Sequence, residues 1–241
     1  MPNFTFNPKG HSYELDGKKM TGVTTVLGVL AKPALIGWAA NMTASWIREN
    51  CTRDDSGIWE VSEDSLLEAV KAHTKKKEAA GEKGTDLHSQ VEGFIKSCLE
   101  LNHGDPHNMG WPVEEKMLGE FVEWAVVNNI KFLASEKQVY SKDWFCAGTF
   151  DFSFEKDGKR FIGDLKTMGK IWDRVPHFQT AAYRKMSVEM GEPDYDGTCI
   201  VNISKPTEKY PSELTESWSY DWESDQKAFE SALYLYRQLN Q

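Results

Sequence analysis

The sequence predicts an α/β (α+β) fold that combines helices with the strands of a sheet, preceded by an N-terminal hairpin and a helical region. Three observations support this fold class. Residues 113–129, "VEEKMLGEFVEWAVVNN", have the apolar period of an amphipathic helix. Strand-like segments dominate from Phe132 to Lys166. The segment "GTCIVNISK" at 197–205 is typical of a buried strand, and it follows a predicted helix at about 175–190.

The N-terminal elements are predicted from local turn and periodicity signals. "SYEL" and "KKMTGV" flank the pair Asp16-Gly17, which favours a type I′ turn, so residues 12–23 predict a hairpin. Residues 24–50 predict helical pieces interrupted near Pro33, because proline cannot continue a helix. A further helix is expected from about Asp64.

The C-terminal elements complete the fold. "ESWSYDW" at 216–222 alternates polar and apolar residues, as an edge strand does. Residues 224–241 place apolar side chains along one stripe of a helix, and core packing is the simplest use for such a stripe.

Composition and charge limit the class of protein. The 241 residues are 40% hydrophobic, their net charge is −9 and the sequence pI is about 5.2. This is the wrong sign for a protein that coats nucleic acid with its whole surface, although it suits a site that gathers carboxylates around a metal. No apolar run approaches the ~20 residues that span a bilayer. We therefore expect no membrane association and a cytoplasmic location, which is the host cytoplasm if a phage encodes the chain.

A hairpin at residues 148–167, "GTFDFSFEKDGKRFIGDLKT", is the most informative segment. With Asp157-Gly158 as a two-residue turn, counting outwards pairs Phe154 with Phe161 and places Asp151 opposite Asp164. Phenylalanines then occupy the face that belongs on the core. The charged residues, Lys166 among them, occupy the other face.

Two directly opposed carboxylates are unfavourable unless something neutralises them. Opposed side chains on paired strands have Cβ atoms ~5 Å apart, so like charges at such positions destabilise a sheet. A shared proton or a cation would relieve the repulsion between Asp151 and Asp164. The alternative is a solvent-exposed face on which the pair is tolerated at small cost.

Two helical pairs of polar residues lie on either side of this hairpin. His88 and Glu92 in "GTDLHSQVE", and Gln179 and Tyr183 in "HFQTAAYRKM", are both spaced i, i+4 and so share a helix face. Each pair alone is also compatible with a hydrogen-bonded histidine and a core tyrosine. Their order along the chain is what gives them meaning.

This order resembles the PD-(D/E)XK nuclease superfamily, and within it the RecB-like branch of phage-type and recombination exonucleases. The matching segments are "GTDLH" at 84–88, "GTFD" at 148–151, "DLK" at 164–166 and "QTAAY" at 179–183. The resemblance implies a restriction-endonuclease-like core, in which a central mixed β-sheet is flanked by helices. It further implies one domain over 1–241: an N-terminal extension to about 60, a nuclease core at about 61–204, and a C-terminal strand and helix at 205–241.

The resemblance also implies roles for individual residues. Asp151 and Asp164 would hold one or two Mg²⁺ ions with His88 as a further ligand, and Mn²⁺ is expected to substitute for Mg²⁺. Lys166 would orient or activate the attacking water and stabilise charge on the phosphate. Gln179 would brace the site or contact the DNA strand.

Three further site residues are expected. Tyr183 shares the role of Gln179, whereas Glu92 and Glu136 are additional candidates. Glu136 would open the strand "EKQVY", and an ordinary strand-end carboxylate is the equal alternative.

DNA-contacting candidates come from a basic cluster and one aromatic residue. They are Lys75, Lys76, Lys77, Lys83 and Trp172. A solvated helix face for the lysines and core packing for Trp172 are the alternatives.

The cysteines carry a separate prediction. Cys51, Cys98, Cys146 and Cys199 form no C-x-x-C pair, and buried small hydrophobic side chains are their simplest interpretation. Some RecB-like proteins bind an iron–sulfur cluster through one upstream cysteine and three near the C-terminus. That pattern is absent here, so no cluster is predicted.

The function expected from these residues is that of a Mg²⁺-dependent DNA exonuclease used in phage recombination, DNA repair or other DNA processing. DNA would be its substrate, and a single-strand annealing or other recombination protein would be a candidate partner. Two alternatives remain: a structure-specific endonuclease of the same fold, and a catalytically silent DNA-binding or assembly protein. The sequence leaves open the oligomeric state, cleavage polarity and strand preference.

Overall fold

The chain divides into two compact units. One unit contains residues 1–29 and 87–241, and the other contains residues 30–86. The structure is a computed structural model. It describes residues 3–30, 33–110, 116–171, 173–207 and 210–240, with the backbone but not the side chains at 33, 34, 77 and 79–85. The predicted division of a single domain near residues 60 and 204 stays a prediction.

The first unit begins with the predicted hairpin. Strands β1 (Phe4–Asn7), β2 (Ser12–Leu15) and β3 (Lys18–Lys19) form a small antiparallel sheet. Asp16 and Gly17 have φ of +50° and +76°, as the two central positions of a type I′ turn require. The prediction of this turn is confirmed.

The second unit is mostly helical, as its sequence predicts. After the short strand β4 (Thr21–Gly22) and helix α1 (Val23–Leu27) of the first unit, helix α2 spans Pro33–Asn50. Two-residue strands β5 (Thr52–Arg53) and β6 (Trp59–Glu60) pair with each other. Helix α3 spans Glu63–Asn102, so its residues from Leu87 onward belong to the first unit.

The rest of the first unit contains the central sheet and its helices. Its elements are α4 (Lys116–Val127), β7 (Lys131–Ser141), β8 (Cys146–Lys156), β9 (Lys159–Lys166), α5 (Val175–Glu189), β10 (Gly197–Ser204), β11 (Glu213–Ser219) and α6 (Trp222–Leu239). The sheet order is β11-β10-β9-β8. Strands β9 and β4 pair with one edge of β8, and β7 pairs with the other edge. The β9–β10 pair is parallel, whereas β7–β8, β8–β9 and β10–β11 are antiparallel. The sheet is therefore mixed, and the predicted α/β (α+β) class is confirmed.

Helices cover both faces of the sheet. Helix α4 and the later part of α3 pack on one face, where Phe94 and Phe121 contact a cluster that includes Phe152 and Val201. Helix α5 packs against β7, β8, β9 and β10. Ile200, which alternates with Val201 along β10, is buried as well. Burial of β10 on both faces explains why apolar residues stand at the consecutive positions Cys199, Ile200 and Val201.

The β8–β9 hairpin has the register expected from its sequence. Phe154 lies opposite Phe161, and Phe152 lies opposite Gly163. A Cβ at position 163 would lie 2.2 Å from the Phe152 ring, so only glycine leaves room for that ring. Counting from the Asp157-Gly158 turn was therefore sufficient to set the pairing as far as Phe152.

Three cysteines behave as the sequence suggests. Cys98, Cys146 and Cys199 are buried, and Cys51 is partly exposed.

Within the described residues, no helix is both long and apolar enough to cross a membrane.

Candidate active site

Strands β8 and β9 separate at the level of Asp151. Their pairing runs from the turn to Phe152 opposite Gly163 and ends there. Strand β4 pairs with the same edge of β8 only at the first two residues of β8. Residues 148–151 therefore have no strand partner on this edge within the described part of the chain. The Asp151 carboxylate instead accepts a hydrogen bond from the Leu165 backbone N–H at 2.7 Å, which bridges the two strands.

Asp164 is the most enclosed charged group of the site. Its side chain is 1% exposed, and its Oδ2 lies 2.5 Å from Lys166 Nζ. Gln179 Nε2 of helix α5 donates to Asp164 Oδ1 at 3.3 Å and to the Tyr183 hydroxyl at 3.0 Å. One carboxylate thus connects the strand motif "DLK" with the helix motif "QTAAY". At Asp164, the charged face of the hairpin is covered rather than open to solvent.

His88 approaches the same point from helix α3. Its Nδ1 lies 3.7 Å from Asp151 Oδ2, which is too long for a hydrogen bond. Two ligand atoms at this separation can both reach one cation at about 2.1 Å each. Glu92, one helical turn further along, pairs with Lys96 on its own helix.

Glu136 contributes a third carboxylate from strand β7. It lies opposite Asp151, between the registered pairs Ser135–Phe152 and Lys137–Phe150. The prediction that Glu136 opens its strand is wrong, because β7 begins at Lys131. Glu136 has a φ of +47° in the middle of the strand, a conformation that few non-glycine residues adopt. The sequence did not reveal that the strand begins before Glu136, because β7 continues through this unusual backbone conformation.

Burial raises the pKa values of the three carboxyl groups, and repulsion by neighbouring carboxylates adds to the rise for Asp164 and Glu136. Burial raises the pKa of Asp164 to about 6, with the charge of Asp151 adding to the rise and Lys166 opposing it. Burial also raises the pKa of Asp151, against the opposing effects of Lys166 and the Leu165 N–H. Burial, Asp151 and Glu92 raise the pKa of Glu136 to about 7. A site built this way favours the binding of positive charge.

The pKa values of Lys166, His88 and Tyr183 are also shifted, upward for Lys166 and Tyr183 and downward for His88. Burial lowers the pKa of Lys166, but the Asp164 and Asp151 carboxylates outweigh it, so the pKa is raised and the ammonium stays charged. Burial lowers the pKa of His88, which keeps the imidazole neutral and able to act as a ligand. Burial and the charge of Asp164 hold the pKa of Tyr183 well above its usual value.

Three residues of this site were missed by the sequence-based expectations. A Cβ at Gly148 would lie 2.4 Å from Tyr183 Cε1, so the absence of a side chain there admits the Tyr183 ring. The Tyr13 hydroxyl of the N-terminal hairpin lies 2.9 Å from Thr149 Oγ1. Gly148 and Thr149 stand within the quoted motif "GTFD", which was a usable signal. Nothing in the sequence connects Tyr13 with residue 149.

A cavity of about 460 Å³ adjoins the separated strands. Strand β8 contributes Ala147 and Gly148 to its wall, and helix α5 contributes Tyr183. The N-terminal segment supplies most of the remaining wall, including Tyr13 and Lys19. The cavity therefore opens beside the residues that the sequence assigns to the site.

The donor set suits a divalent cation in its chemistry. Asp151, Asp164 and His88 would supply carboxylate oxygens and an imidazole nitrogen, the donors that Mn²⁺ and Mg²⁺ sites use. In the described part of the chain, no three His, Cys, Asp or Glu side chains already stand in a metal-holding arrangement. Lys166 Nζ occupies the position beside Asp164 Oδ2. Binding of a cation between the carboxylates would require Lys166 to move away from that oxygen.

Two of the predicted DNA-contacting lysines lie outside the unit that carries this site. Lys75 and Lys76 belong to the second unit, where Lys75 pairs with Glu68 and Lys76 is exposed. The side chains of Lys77 and Lys83 lie outside the described residues, as does Trp172.

Comparison with known proteins gives little further information. No protein-family model matches the chain, and no curated protein matches it. Among solved structures, the chain is similar to the crystal structure of SSO0001, with 13% sequence identity and a TM-score of 0.30. This match covers 49% of the present chain and 57% of SSO0001. At this level of similarity, neither fold nor activity is inferred from it.

Proposed function

We propose that this protein is a Mg²⁺-dependent DNA exonuclease of the phage recombination and DNA-processing type. The observation that carries the proposal is the meeting of four separate sequence motifs at one point. The motifs come from a helix, two strands and another helix. Their side chains meet at the Asp151 and Asp164 carboxylates, which His88 approaches from one helix and Gln179 from the other. Structural salt bridges alone would not require these residue types in this order.

The chain's own groups suit phosphodiester hydrolysis. A bound Mg²⁺ would polarise the phosphate and present a water molecule as the nucleophile. Asp151 and Asp164 would hold the cation. Both are on strands of one hairpin, which limits how far either side chain can move. Lys166 has a raised pKa, so it is suited to stabilising negative charge on the phosphate rather than to removing a proton from water.

The metal preference follows from the ligands. Oxygen donors suit Mg²⁺ and Mn²⁺ alike, whereas the His88 imidazole suits Mn²⁺ better than Mg²⁺. We expect Mn²⁺ to support activity at lower concentration than Mg²⁺. DNA is the proposed substrate, and a recombination protein is proposed as a partner on the resemblance alone. The cytoplasm is proposed as the site of action from the sequence alone.

Three forms of DNA test the proposal. Linear duplex, linear single strands and covalently closed circles are incubated with the protein in Mg²⁺, in Mn²⁺ or in EDTA. Degradation of linear DNA alone, abolished by EDTA, is the expected result. Nicking of the circle would replace the exonuclease with the endonuclease alternative. No cleavage of any form by folded protein would overturn the enzymatic proposal and favour a catalytically silent DNA-binding protein.

A further inference from the structure

The N-terminal hairpin reaches the strand that carries Asp151. Tyr13 is 3% exposed, and its ring packs in a cluster with Leu15, Met20 and Ala147. Its hydroxyl lies 2.9 Å from Thr149 Oγ1 on strand β8. This hydrogen bond joins two positions that are 136 residues apart in the chain.

Thr149 lies in the stretch where β8 has lost its partner on one edge. Residues 148–151 pair with β7 on one side and lie beyond the end of the β9 ladder on the other. Side chains along a strand alternate between its faces, so Thr149 and Asp151 lie on the same face. Among the described residues, two side-chain hydrogen bonds hold this stretch: Tyr13 with Thr149, and Asp151 with the Leu165 N–H.

We propose that Tyr13 is a positioning residue for the proposed active site. Through Thr149, its hydroxyl fixes the part of β8 that presents the Asp151 carboxylate. This inference rests on the proposed function, because it assigns Tyr13 to the cation-binding role of Asp151. The hairpin is thereby a component of the active site, although it contributes no ligand.

The inference has a quantitative consequence. Small displacements of a catalytic group, on the order of 1 Å, can lower a rate by up to about 10²-fold. Loss of one orienting hydrogen bond, with the β7 pairing intact, should have a smaller effect. We expect kcat to fall roughly tenfold and the Mg²⁺ concentration for half-saturation to rise several-fold, with the KM for DNA unchanged.

The test uses substitutions that remove a hydroxyl and keep the shape. Tyr13→Phe keeps the ring in its cluster and removes the hydrogen bond to Thr149 together with a longer contact, 3.4 Å, to His11 Nε2. Thr149→Val removes the Tyr13–Thr149 hydrogen bond from the other side and leaves the His11 contact in place. Tyr140→Phe is the matched control. Tyr140 also stacks on Phe4 of the hairpin, with ring centroids 4.6 Å apart, and no hydrogen bond of its hydroxyl is found among the described residues. A double substitution of Tyr13 and Thr149 completes a thermodynamic cycle.

Mg²⁺ affinity is measured by calorimetric titration, alongside kcat, KM and the Tm in EDTA. We expect both single variants to weaken Mg²⁺ binding, the double variant to be no worse than either, and Tyr140→Phe to match the wild type. A merely structural role would lower the Tm in EDTA and leave Mg²⁺ affinity unchanged, and that result would overturn the inference. Additive losses in the double variant would overturn it as well.

The titration also separates this inference from the proposed function. If the wild type binds Mg²⁺ and cleaves no DNA, the nuclease proposal fails while the Tyr13 comparison still decides the inference. If the wild type cleaves DNA and Tyr13→Phe matches it in every measurement, the inference alone fails. If the wild type neither binds Mg²⁺ nor cleaves DNA, both fail.

Discussion

Replacing Asp164 with asparagine should have opposite effects on stability in the absence and presence of Mg²⁺. Burial raises the pKa of Asp164 from 3.8 to about 6. Each unit corresponds to ~1.4 kcal/mol, so ionising this carboxyl costs the folded state about 3 kcal/mol. The side chain is 1% exposed, so solvent screening reduces this figure little. Asparagine has the same shape and carries no such penalty.

The sign of the effect follows from proton binding. An acid with a raised pKa in the folded state binds more protons when folded, so its contribution to stability is lost as pH rises from about 4 to 6. At pH 8 the wild type carries the whole penalty, and at pH 4 it carries almost none. The new amide must find hydrogen-bond partners beside Lys166, which reduces the gain below the full penalty. We therefore expect Asp164→Asn to raise the free energy of unfolding by about 1–3 kcal/mol at pH 8. For a chain of this size that is a Tm increase of roughly 2–10 °C in EDTA.

Mg²⁺ should then reverse the comparison. A ligand that binds only the folded state stabilises it, by ~2.7 kcal/mol at a hundredfold excess over Kd. The wild type should gain this increment, and Asp164→Asn should gain little because one of its cation ligands is neutral. Asp157→Asn is the matched control, since Asp157 is in the turn of the same hairpin and its side chain is 80% exposed. It should behave as the wild type in both buffers.

Thermal unfolding of the three proteins, in EDTA and in Mg²⁺ at pH 8 and pH 4, measures all of these quantities. The reasoning is refuted if Asp164→Asn melts below the wild type in EDTA at pH 8. It is equally refuted if Mg²⁺ raises the Tm of Asp164→Asn as much as that of the wild type.

Three further predictions concern other parts of the first unit. Gly148→Ala should displace the Tyr183 ring and cost about 1–3 kcal/mol of folding stability together with activity, whereas Gly169→Ala, with open space around it, should cost little; chemical denaturation compares the two. Arg174→Ala leaves the Ser219 hydroxyl as the remaining side-chain hydrogen-bond donor to the buried Asp225 carboxylate among the described residues. We expect a loss of about 3 kcal/mol of folding stability by the same measurement, and a loss below ~1 kcal/mol would contradict this expectation. In EDTA the wild-type Tm should fall as pH rises from 5 to 8. Asp164 and Glu136 have raised pKa values of about 6 and about 7, so the stability that their protonated forms contribute is lost as they ionise in this pH range. A flat or rising profile would contradict the site electrostatics.

Local patterns predicted the elements of the sheet well. The Asp157-Gly158 turn fixed the register of β8 and β9 by counting, and the Asp16-Gly17 turn fixed that of the N-terminal hairpin. Both turns are two residues long and need positive φ at both positions, so the residue types leave few alternatives. The helix predicted at 224–241 corresponds to α6 (Trp222–Leu239), whereas the strand predicted at 216–222 lies three residues earlier, as β11 (Glu213–Ser219).

The arrangement around Asp151 was beyond such counting. Counting placed Asp151 directly opposite Asp164, whereas the ladder ends one pair earlier and the carboxylate bonds to the Leu165 N–H instead. Where a ladder ends depends on the packing of β4 and α5, which are distant in the sequence. The positive φ of Glu136 and the approach of Tyr13 to Thr149 have the same origin: long-range packing, for which residue type carries no local signal.

Cleavage of linear DNA by the wild type, Lys166→Ala and Lys159→Ala tests the proposed active site most directly. Lys166 contacts the buried Asp164, whereas Lys159 is an exposed lysine at the start of the same strand. In Mg²⁺, we expect the wild type and Lys159→Ala to degrade linear DNA at equal rates and Lys166→Ala to be at least about 10²-fold slower while remaining folded. Degradation by Lys166→Ala at the wild-type rate would contradict the assignment of this site.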